Sequence, residues 1–281
     1  MTVLYGALAF WLAAWGVNAM LARSRWSELR AVRIFVPVLF GFTLLVLWQG
    51  LVRGLDVSPV ILPAPTDIAA TFAKETDTLW VDFVQTVLKG ALTGYFLGCS
   101  VGFLTALLID RSAFLTAGLL PVGNFVAALP IIGIAPILVS WFGFDWHSKA
   151  AVVVVMVFFP VLVNVVQGLK ETDPMQRDLM RTYGATYGQT LMKLRLPAAM
   201  PFVFNGLKIA TTLALIGAIV AEYFGSPIRG MGFRISTGVG SLNIPLVWAE
   251  ITVAAAVGTT LYGLVALIEK IVTFWHPSQR V

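Results

Sequence analysis

The length of its uncharged stretches is the feature that most constrains this chain. Of its 281 residues only 33 carry charge, 19 Lys or Arg and 14 Asp or Glu. A helix rises about 1.5 Å per residue, so about 20 residues cross the roughly 30 Å hydrocarbon core of a bilayer. The sequence is therefore predicted to be an all-α polytopic membrane protein. The uncharged stretches are residues 1–22, 34–52, 90–109, 112–144, 150–169 and 251–268.

A further span is predicted over 202–225, which brings the expected number of transmembrane helices to about seven. The stretch 112–144 is too long for one straight span, and prolines should break it because each removes a helix hydrogen bond. These prolines are Pro121, Pro130 and Pro136. The composition agrees with this class of protein: 12% of residues are charged, about half the roughly 25% of soluble domains.

The distribution of Lys and Arg predicts the orientation. Thirteen of them fall on the side that holds the connections 23–33, 110–111 and 170–201 and the C-terminus, against five on the other side. Cytoplasmic loops carry the excess of basic residues. The N-terminus is thus expected outside and the C-terminus in the cytoplasm. The first 22 residues are expected to be a retained anchor rather than a signal peptide, because basic residues follow the apolar run instead of preceding it.

The long cytoplasmic connection, 170–201, carries the most specific local pattern. Asp173 followed by Pro174 is typical of a helix start, with Asp as the N-cap and Pro at the first helical position. Gly184 stands where a left-handed residue ends a helix. A second short helix is expected to end before Pro197. Apolar residues of the first helix recur every four positions on one face, and they are Met175, Leu179 and Tyr183.

This connection resembles the EAA loop of binding-protein-dependent ABC importer permeases. The family pattern is E-A-A, three residues, G, nine residues and I-x-L-P. In this sequence Asp178 stands for the Glu, Leu179 and Met180 replace the alanines, and Gly184, Leu196 and Pro197 match. We therefore refer to residues 170–201 as the coupling loop.

Other motifs are similar to the nitrate, sulfonate, taurine and bicarbonate branch of that family. Leu62-Pro63-Ala64-Pro65, Leu129-Pro130, Ala135-Pro136 and Trp141-Phe142-Gly143 follow in the order of that branch, and Lys89 stands where it usually has Arg. The resemblance covers about 34–276. It implies a permease domain of six helices over 34–276, an additional anchor with a basic loop over 1–33, and a cytoplasmic tail over 277–281.

The resemblance also implies a location in the bacterial inner membrane, and it implies the partners. Two copies of the permease would pair, two cytoplasmic ABC ATPases would bind the coupling loops, and a periplasmic or lipid-anchored binding protein would deliver the substrate. ATP and Mg²⁺ would belong to the ATPase, because this chain has no Walker A motif. The chain is thus expected to be neither an enzyme nor a nucleic-acid-binding protein, with no metal or cofactor of its own.

Nine residues are expected to couple the permease to the ATPase. They are Met175, Arg177, Asp178, Leu179, Arg181, Tyr183, Gly184, Leu196 and Pro197. Salt bridges to the ATPase are expected from Arg177, Arg181, Lys193 and Arg195.

A stripe of glycines on the third span is predicted to pack closely against another helix, since small residues let backbones approach in lipid. The stripe consists of Gly90, Gly94, Gly98 and Gly102. It contains the serine-hydrolase pattern G-x-S-x-G at 98–102. Hydrolysis is not expected, because the only histidines, His147 and His276, fall in an outer loop and at the C-terminus.

Polar residues within the spans are candidates for a translocation path or gate. They are Lys89, Asn124, Ser140, Asn164 and Glu222. An ion pair between Lys89 and a glutamate, Glu222 or Glu250, is the alternative structural interpretation. The substrate class implied by the branch is a small anion. Import of a heterocyclic nutrient is the alternative, and an ion-coupled secondary transporter is the third hypothesis.

Overall fold

The computed structural model describes residues 1–127, 129–225 and 228–275, except for seven side chains between 113 and 127. The described residues contain helices and no β-strand. In chain order the helices are α1 (Thr2–Arg23), α2 (Arg30–Gly54), α3 (Pro65–Lys74), α4 (Thr76–Phe83), α5 (Thr93–Ile109), α6 (Ala113–Ala127), α7 (Ile131–Phe142), α8 (Trp146–Lys170), α9 (Pro174–Thr182), α10 (Tyr187–Thr190), α11 (Leu196–Phe224), α12 (Met231–Gly240) and α13 (Ile244–Val272). The all-α prediction is confirmed.

Six continuous helical segments of the described chain are long and apolar enough to cross a membrane. They are Thr2–Arg23, Arg30–Gly54, Thr76–Ile109, Trp146–Lys170, Tyr187–Phe224 and Ile244–Val272. The remaining predicted span, 112–144, is divided into α6 and α7, and neither reaches the roughly 20 residues that a crossing needs. The predicted break is confirmed at Pro130, the N-cap of α7. Pro121 and Pro136 instead lie inside α6 and α7, so the expectation that they break the stretch is wrong.

The chain forms two compact units. One comprises Met1–Leu79 and Thr237–Ile251, and the other comprises the described parts of Trp80–Ser236 and Thr252–Val281. In the first unit, α1 packs against α2 where two glycines face it. A Cβ atom on Gly50 would lie 2.2 Å from the Cβ of Ala7, and one on Gly54 would lie 2.6 Å from that of Leu4. Small residues therefore set the spacing of these two helices.

The second unit is built around α8, whose neighbours α5 and α11 pack on it along most of its length. Its core consists mainly of valine and alanine side chains with almost no exposed surface, including Val157, Val161 and Leu162 of α8 and Ala210 and Ala218 of α11. Short side chains allow the close approach that stabilises helix pairs in lipid, where apolar burial alone contributes little. This unit contains the coupling loop and most of the predicted site residues.

Two helical segments of the second unit have a widened, π-helical turn. Val84–Leu92 joins α4 to α5, and Leu191–Arg195 joins α10 to α11. The second turn makes the helix continuous from Tyr187 to Phe224, so the predicted end before Pro197 is wrong. Pro197 is tolerated there because it lies in the first turn of α11.

Candidate functional site

Helix α9 of the coupling loop begins and ends as the sequence predicts. The Asp173 carboxylate accepts a hydrogen bond from the backbone N–H of Met175 at 2.9 Å, and Pro174 is the first helical residue. Gly184 has φ +68°, a left-handed conformation that favours glycine because it has no Cβ. The N–H of Gly184 bonds to the carbonyl of Arg181, and that of Ala185 to the carbonyl of Met180. The local predictions for this helix are confirmed.

The apolar face of α9 has no partner within the described chain. Met175, Leu179 and Tyr183 are 77%, 55% and 79% exposed. An exposed apolar face on a short helix is typical of a protein contact surface. Arg181 lies beside this face and pairs with Asp178 at 3.3 Å, while Arg177 is half-buried. Leu196 and Pro197 are half-buried at the start of α11.

Arg195 anchors the coupling loop to the helix bundle. Its guanidinium donates to both carboxylate oxygens of Asp110, each at 2.7 Å, and to the carbonyl of Leu169 at 2.9 and 3.1 Å. Tyr187 donates from its hydroxyl to the same carboxylate at 2.8 Å, and the Arg111 guanidinium lies 5.1 Å from the Tyr187 ring. These contacts join the loop to the ends of α5 and α8.

Arg195 is therefore bound within the chain, and the expectation that it pairs with an ATPase is wrong. Its side chain is only 12% exposed, and that of Asp110 is 6% exposed. The sequence analysis missed Asp110 and Tyr187 as members of this contact. Asp110 is the only acid between 83 and 144, which marks it as a candidate partner, but only the fold identifies the arginine.

The predicted glycine stripe faces α8. Added Cβ atoms would lie 2.5 Å from the Cβ of Val153 at Gly94, 2.4 Å from a methyl group of Val157 at Gly98, and 2.8 Å from the Phe158 carbonyl oxygen at Gly102. At Gly90 the nearest atom, the Cβ of Lys149, would be 3.3 Å away. The backbones of the third span and α8 thus approach closely along the stripe.

A buried polar cluster lies at the other end of α8 and α11. Three consecutive backbone N–H groups at the start of α12 bond to side chains of other segments. Gly230 donates to Asp82 at 2.6 Å, Met231 to the Thr86 hydroxyl at 2.8 Å, and Gly232 to Glu222 at 3.0 Å. Thr86 in turn donates to Glu222 at 2.7 Å, and Arg234 donates to Asp82 at 2.7 Å. These side chains fix the segment before α12 against α4 and α11.

Lys149 joins a second loop to the same end of the unit. This side chain is fully buried, and its ammonium donates to the carbonyl oxygens of Phe144 and Gly225 and to the Ser148 hydroxyl. Gly225 is the C-cap of α11, where unpaired carbonyl groups favour a cation. The sequence analysis did not identify this role, because a lysine at the end of an apolar run is usually solvated.

The structure separates the predicted path residues. Glu222 belongs to the buried cluster, and Lys89 is exposed near it but forms no ion pair with a described residue. Glu250, the other glutamate considered, is buried in α13. Ser140 is exposed on α7, and Asn164 lies on α8, where its amide donates to the Pro160 carbonyl at 2.8 Å and accepts from Asn205 at 3.0 Å. The side chain of Asn124 lies outside the described residues.

Comparison with known proteins identifies the family. The profile of the binding-protein-dependent transport system inner membrane component matches residues 94–273, more than half of the chain. The chain belongs to this family. A probable ABC transporter permease of Haemophilus influenzae is 34% identical over 231 residues, which cover 82% of this chain and 94% of that protein. The predicted ABC importer permease is confirmed, and the ion-coupled secondary transporter is no longer supported.

Other members of the family differ in the substrate that their names give. A formylaminopyrimidine transport permease of Halalkalibacterium halodurans is 31% identical over 89% of this chain and 99% of that protein. A riboflavin transport permease of Chloroflexus aurantiacus is 30% identical over 84% of this chain and 88% of that protein. Permeases named for aliphatic sulfonates, taurine and bicarbonate also match, at 29% identity or less. The likeness to the sulfonate, taurine and bicarbonate branch is thereby confirmed.

Proposed function

We propose that two copies of this chain form the translocation path of an ATP-driven importer, with α9 as the contact to a separate ATPase subunit. The observation that carries the proposal is the exposed apolar face of α9 on a loop that Arg195 ties to the ends of α5 and α8. A rigid attachment of this kind would transmit ATPase movement to the helices. ATP and Mg²⁺ would be bound by the ATPase. The side chains of Met175, Leu179 and Tyr183 would pack against the surface of the ATPase.

The proposed topology follows from the distribution of basic residues. The coupling loop and the tail 277–281, which lies outside the described residues, would be cytoplasmic. The N-terminus and the buried polar cluster would lie on the outer side, where a binding protein delivers substrate. Residues 1–33 would form an anchor and basic loop in addition to the permease domain over 34–276, because α1 precedes the spans covered by the family resemblance.

The coupling proposal is tested at Gly184. A valine there would have to adopt φ +68° and should displace the end of α9, at about 1–2 kcal/mol for the left-handed backbone. We expect Gly184→Val to reduce co-purification of the ATPase about tenfold and to reduce ATP-driven uptake. Gly188→Val is the control, because α10 holds Gly188 in an ordinary helical conformation with open space around it. Unchanged association and uptake for Gly184→Val would contradict the proposal.

For the substrate we propose a small anion, in line with the sulfonate, taurine and bicarbonate permeases among the relatives. A heterocyclic nutrient is the second candidate. It is supported by the pyrimidine and riboflavin relatives and by an apolar cavity of about 510 Å³ that Tyr95, Phe96 and Phe103 help to line. Aromatic side chains of this kind suit a planar ring.

The two substrate classes are distinguished by uptake into proteoliposomes that contain the assembled transporter and its binding protein. We expect ATP-dependent accumulation of ethanesulfonate or bicarbonate, and none of an aminopyrimidine or riboflavin. Accumulation of only the heterocycles would reverse the assignment. The ATP requirement is checked by omitting ATP from the same vesicles.

A further inference from the structure

The turn between α1 and α2 is strongly basic. Residues 23–33 contain four arginines and one acid, Glu28, which gives the segment a net charge of +3. All four arginines are exposed, and none of them forms an ion pair with a residue that the structure describes. They are Arg23, Arg25, Arg30 and Arg33. Their charge is therefore available to a ligand at the surface of the first unit.

The lengths of α1 and α2 place this turn at a membrane surface. The helices have 22 and 25 residues, so at about 1.5 Å per residue they are about 33 and 37 Å long, slightly more than the roughly 30 Å hydrocarbon core. Both are apolar enough to cross a membrane, and only residues 24–29 join them. The turn must therefore lie at the depth of the lipid headgroups.

The uncharged side chains of the turn suit that depth. Trp26 and Leu29 are 64% and 55% exposed, and tryptophan is enriched where hydrocarbon meets headgroups. The Ser24 hydroxyl accepts from the backbone N–H of Trp26 at 3.2 Å and donates to the carbonyl of Leu21 at 2.9 Å. These bonds fix the turn before a ligand binds, which reduces the ordering cost of binding.

The chain that follows the other end of α2 has the opposite charge. The segment 53–79, which begins in the last turn of α2, contains two basic and four acidic residues, a net charge of −2. One of its two basic residues, Arg53, is already paired with Asp67 at 2.5 Å. An anionic headgroup should therefore be attracted to the basic turn and not to this segment.

We propose that the turn between α1 and α2 binds an anionic phospholipid. The arginine guanidinium groups donate to the oxygens of its phosphate diester, which they match because one guanidinium can bond two such oxygens at once. Trp26 and Leu29 contact the adjoining acyl carbons. A glycerol headgroup carries no cation, whereas choline and ethanolamine headgroups carry one that the basic turn repels. The inference concerns the anchor and is independent of the proposed import function.

Energy transfer to labelled lipids tests the inference. Cys99 is buried and is the only cysteine, so Cys99→Ala removes the native thiol. On this background a donor dye is attached at Ala31→Cys, an exposed position between Arg30 and Arg33. The full chain is placed in phosphatidylcholine vesicles with a trace of phosphatidylglycerol or phosphatidylcholine that carries an acceptor dye on its acyl chain. The preference is the ratio of the two local lipid concentrations that the transfer reports.

We expect a preference of about fivefold for phosphatidylglycerol, because each basic side chain near an anionic lipid strengthens binding by roughly that factor. Arg30→Gln with Arg33→Gln should reduce it to about twofold or less, and Arg30→Lys with Arg33→Lys should retain most of it. The matched control, Lys74→Gln with Lys170→Gln, removes two exposed positive charges elsewhere and should leave it unchanged. Salt at about 1 M, which shortens the screening length to about 3 Å, should weaken it.

A second reporter distinguishes the turn from the remaining surface. The donor dye at Ser58→Cys, an exposed position in the segment 53–79, should show no preference for phosphatidylglycerol. Arg23→Gln with Arg25→Gln is an additional pair, for the case that the first glutamine variant inserts poorly. It should reduce the preference in the same way, because it removes the same charge from the turn.

Equal transfer to the two lipids at Ala31→Cys would overturn the inference. The same preference at Ser58→Cys, or an equal loss in the glutamine, lysine and control variants, would do so as well. The vesicles contain neither ATPase nor binding protein, so the result is separate from the proposed function. A clear preference without ATP-driven uptake in the import assay would contradict the import proposal alone. Uptake without any lipid preference would contradict the lipid proposal alone.

Discussion

Single basic residues of this protein have different roles according to what surrounds them. Arg195 is held by Asp110 and a backbone carbonyl, and Lys149 is buried among carbonyl oxygens. Lys89 faces a cavity and has no ion pair within the described residues. Removing a buried, bonded cation leaves its partners without hydrogen bonds, whereas removing an exposed one costs little. Substitutions of buried, bonded cations should therefore lower the free energy of unfolding much more than substitutions of exposed ones.

Arg195→Ala should lower the free energy of unfolding by about 3 kcal/mol, because it leaves the buried Asp110 carboxylate without its bidentate partner. Thermal unfolding of the purified protein in detergent measures the effect. Arg181→Ala is the control: its pair with Asp178 is 81% and 68% exposed, so we expect a change below about 1 kcal/mol. Equal effects of the two substitutions would show that Arg195 does not anchor the loop.

Thr86→Val tests the buried polar cluster. The Thr86 hydroxyl donates to Glu222 and accepts from the N–H of Met231, and valine of similar shape can do neither. We expect the unfolding free energy to fall by about 2 kcal/mol, since the buried Met231 N–H loses its partner and Glu222 keeps only the hydrogen bond from the Gly232 N–H. Thr259→Val, which removes a hydroxyl bonded only to its own helix at Ala255, should change stability little in the same thermal assay.

At the scale of helices, the second unit depends on close approach between the third span and α8. An alanine at Gly94 would place its Cβ 2.7 Å from the carbonyl oxygen of Ala150, so a backbone must shift. Overpacking of this kind costs about 1–3 kcal/mol. We expect Gly94→Ala to lower the thermal unfolding midpoint.

The matched substitution is Gly263→Ala in α13, where an added Cβ has no neighbour within 4 Å. It should leave the midpoint unchanged or raise it slightly, because alanine favours helix by about 0.5–1 kcal/mol. Loss of stability in both variants would mean that the flexibility of glycine, rather than packing, matters at Gly94.

At the scale of the whole molecule, the proposed topology is tested on the Cys99→Ala background with a maleimide that does not cross membranes. Thr2→Cys and Ser58→Cys should react in intact spheroplasts, since both exposed positions fall on the proposed outer side. Gln176→Cys, exposed on α9, should react only after the membrane is opened. Labelling of Gln176→Cys in intact spheroplasts would reverse the orientation.

The sequence alone determines the features that depend on neighbours along the chain. Uncharged length predicts the helical spans, because each residue adds a constant rise to a helix that must cross a bilayer of known thickness. The start of α9 at Asp173 and Pro174 and its end at Gly184 follow from capping and from the left-handed backbone. The division of 112–144 at Pro130 was also predictable, although two further prolines proved compatible with helix.

Only the tertiary structure decides which distant polar groups meet. Arg195 donates to Asp110, which lies 85 residues away in the sequence, and Glu222 accepts from Thr86, which lies 136 residues away. The same holds for the cavity that Lys89 faces, where Gln85 and Lys89 meet Asp145 and Arg229. A local pattern indicates that a charge within an apolar run needs a partner, since burial without one is costly, but it does not identify that partner. Helix packing determines the partner, because it brings residues that are far apart in the sequence within hydrogen-bonding distance.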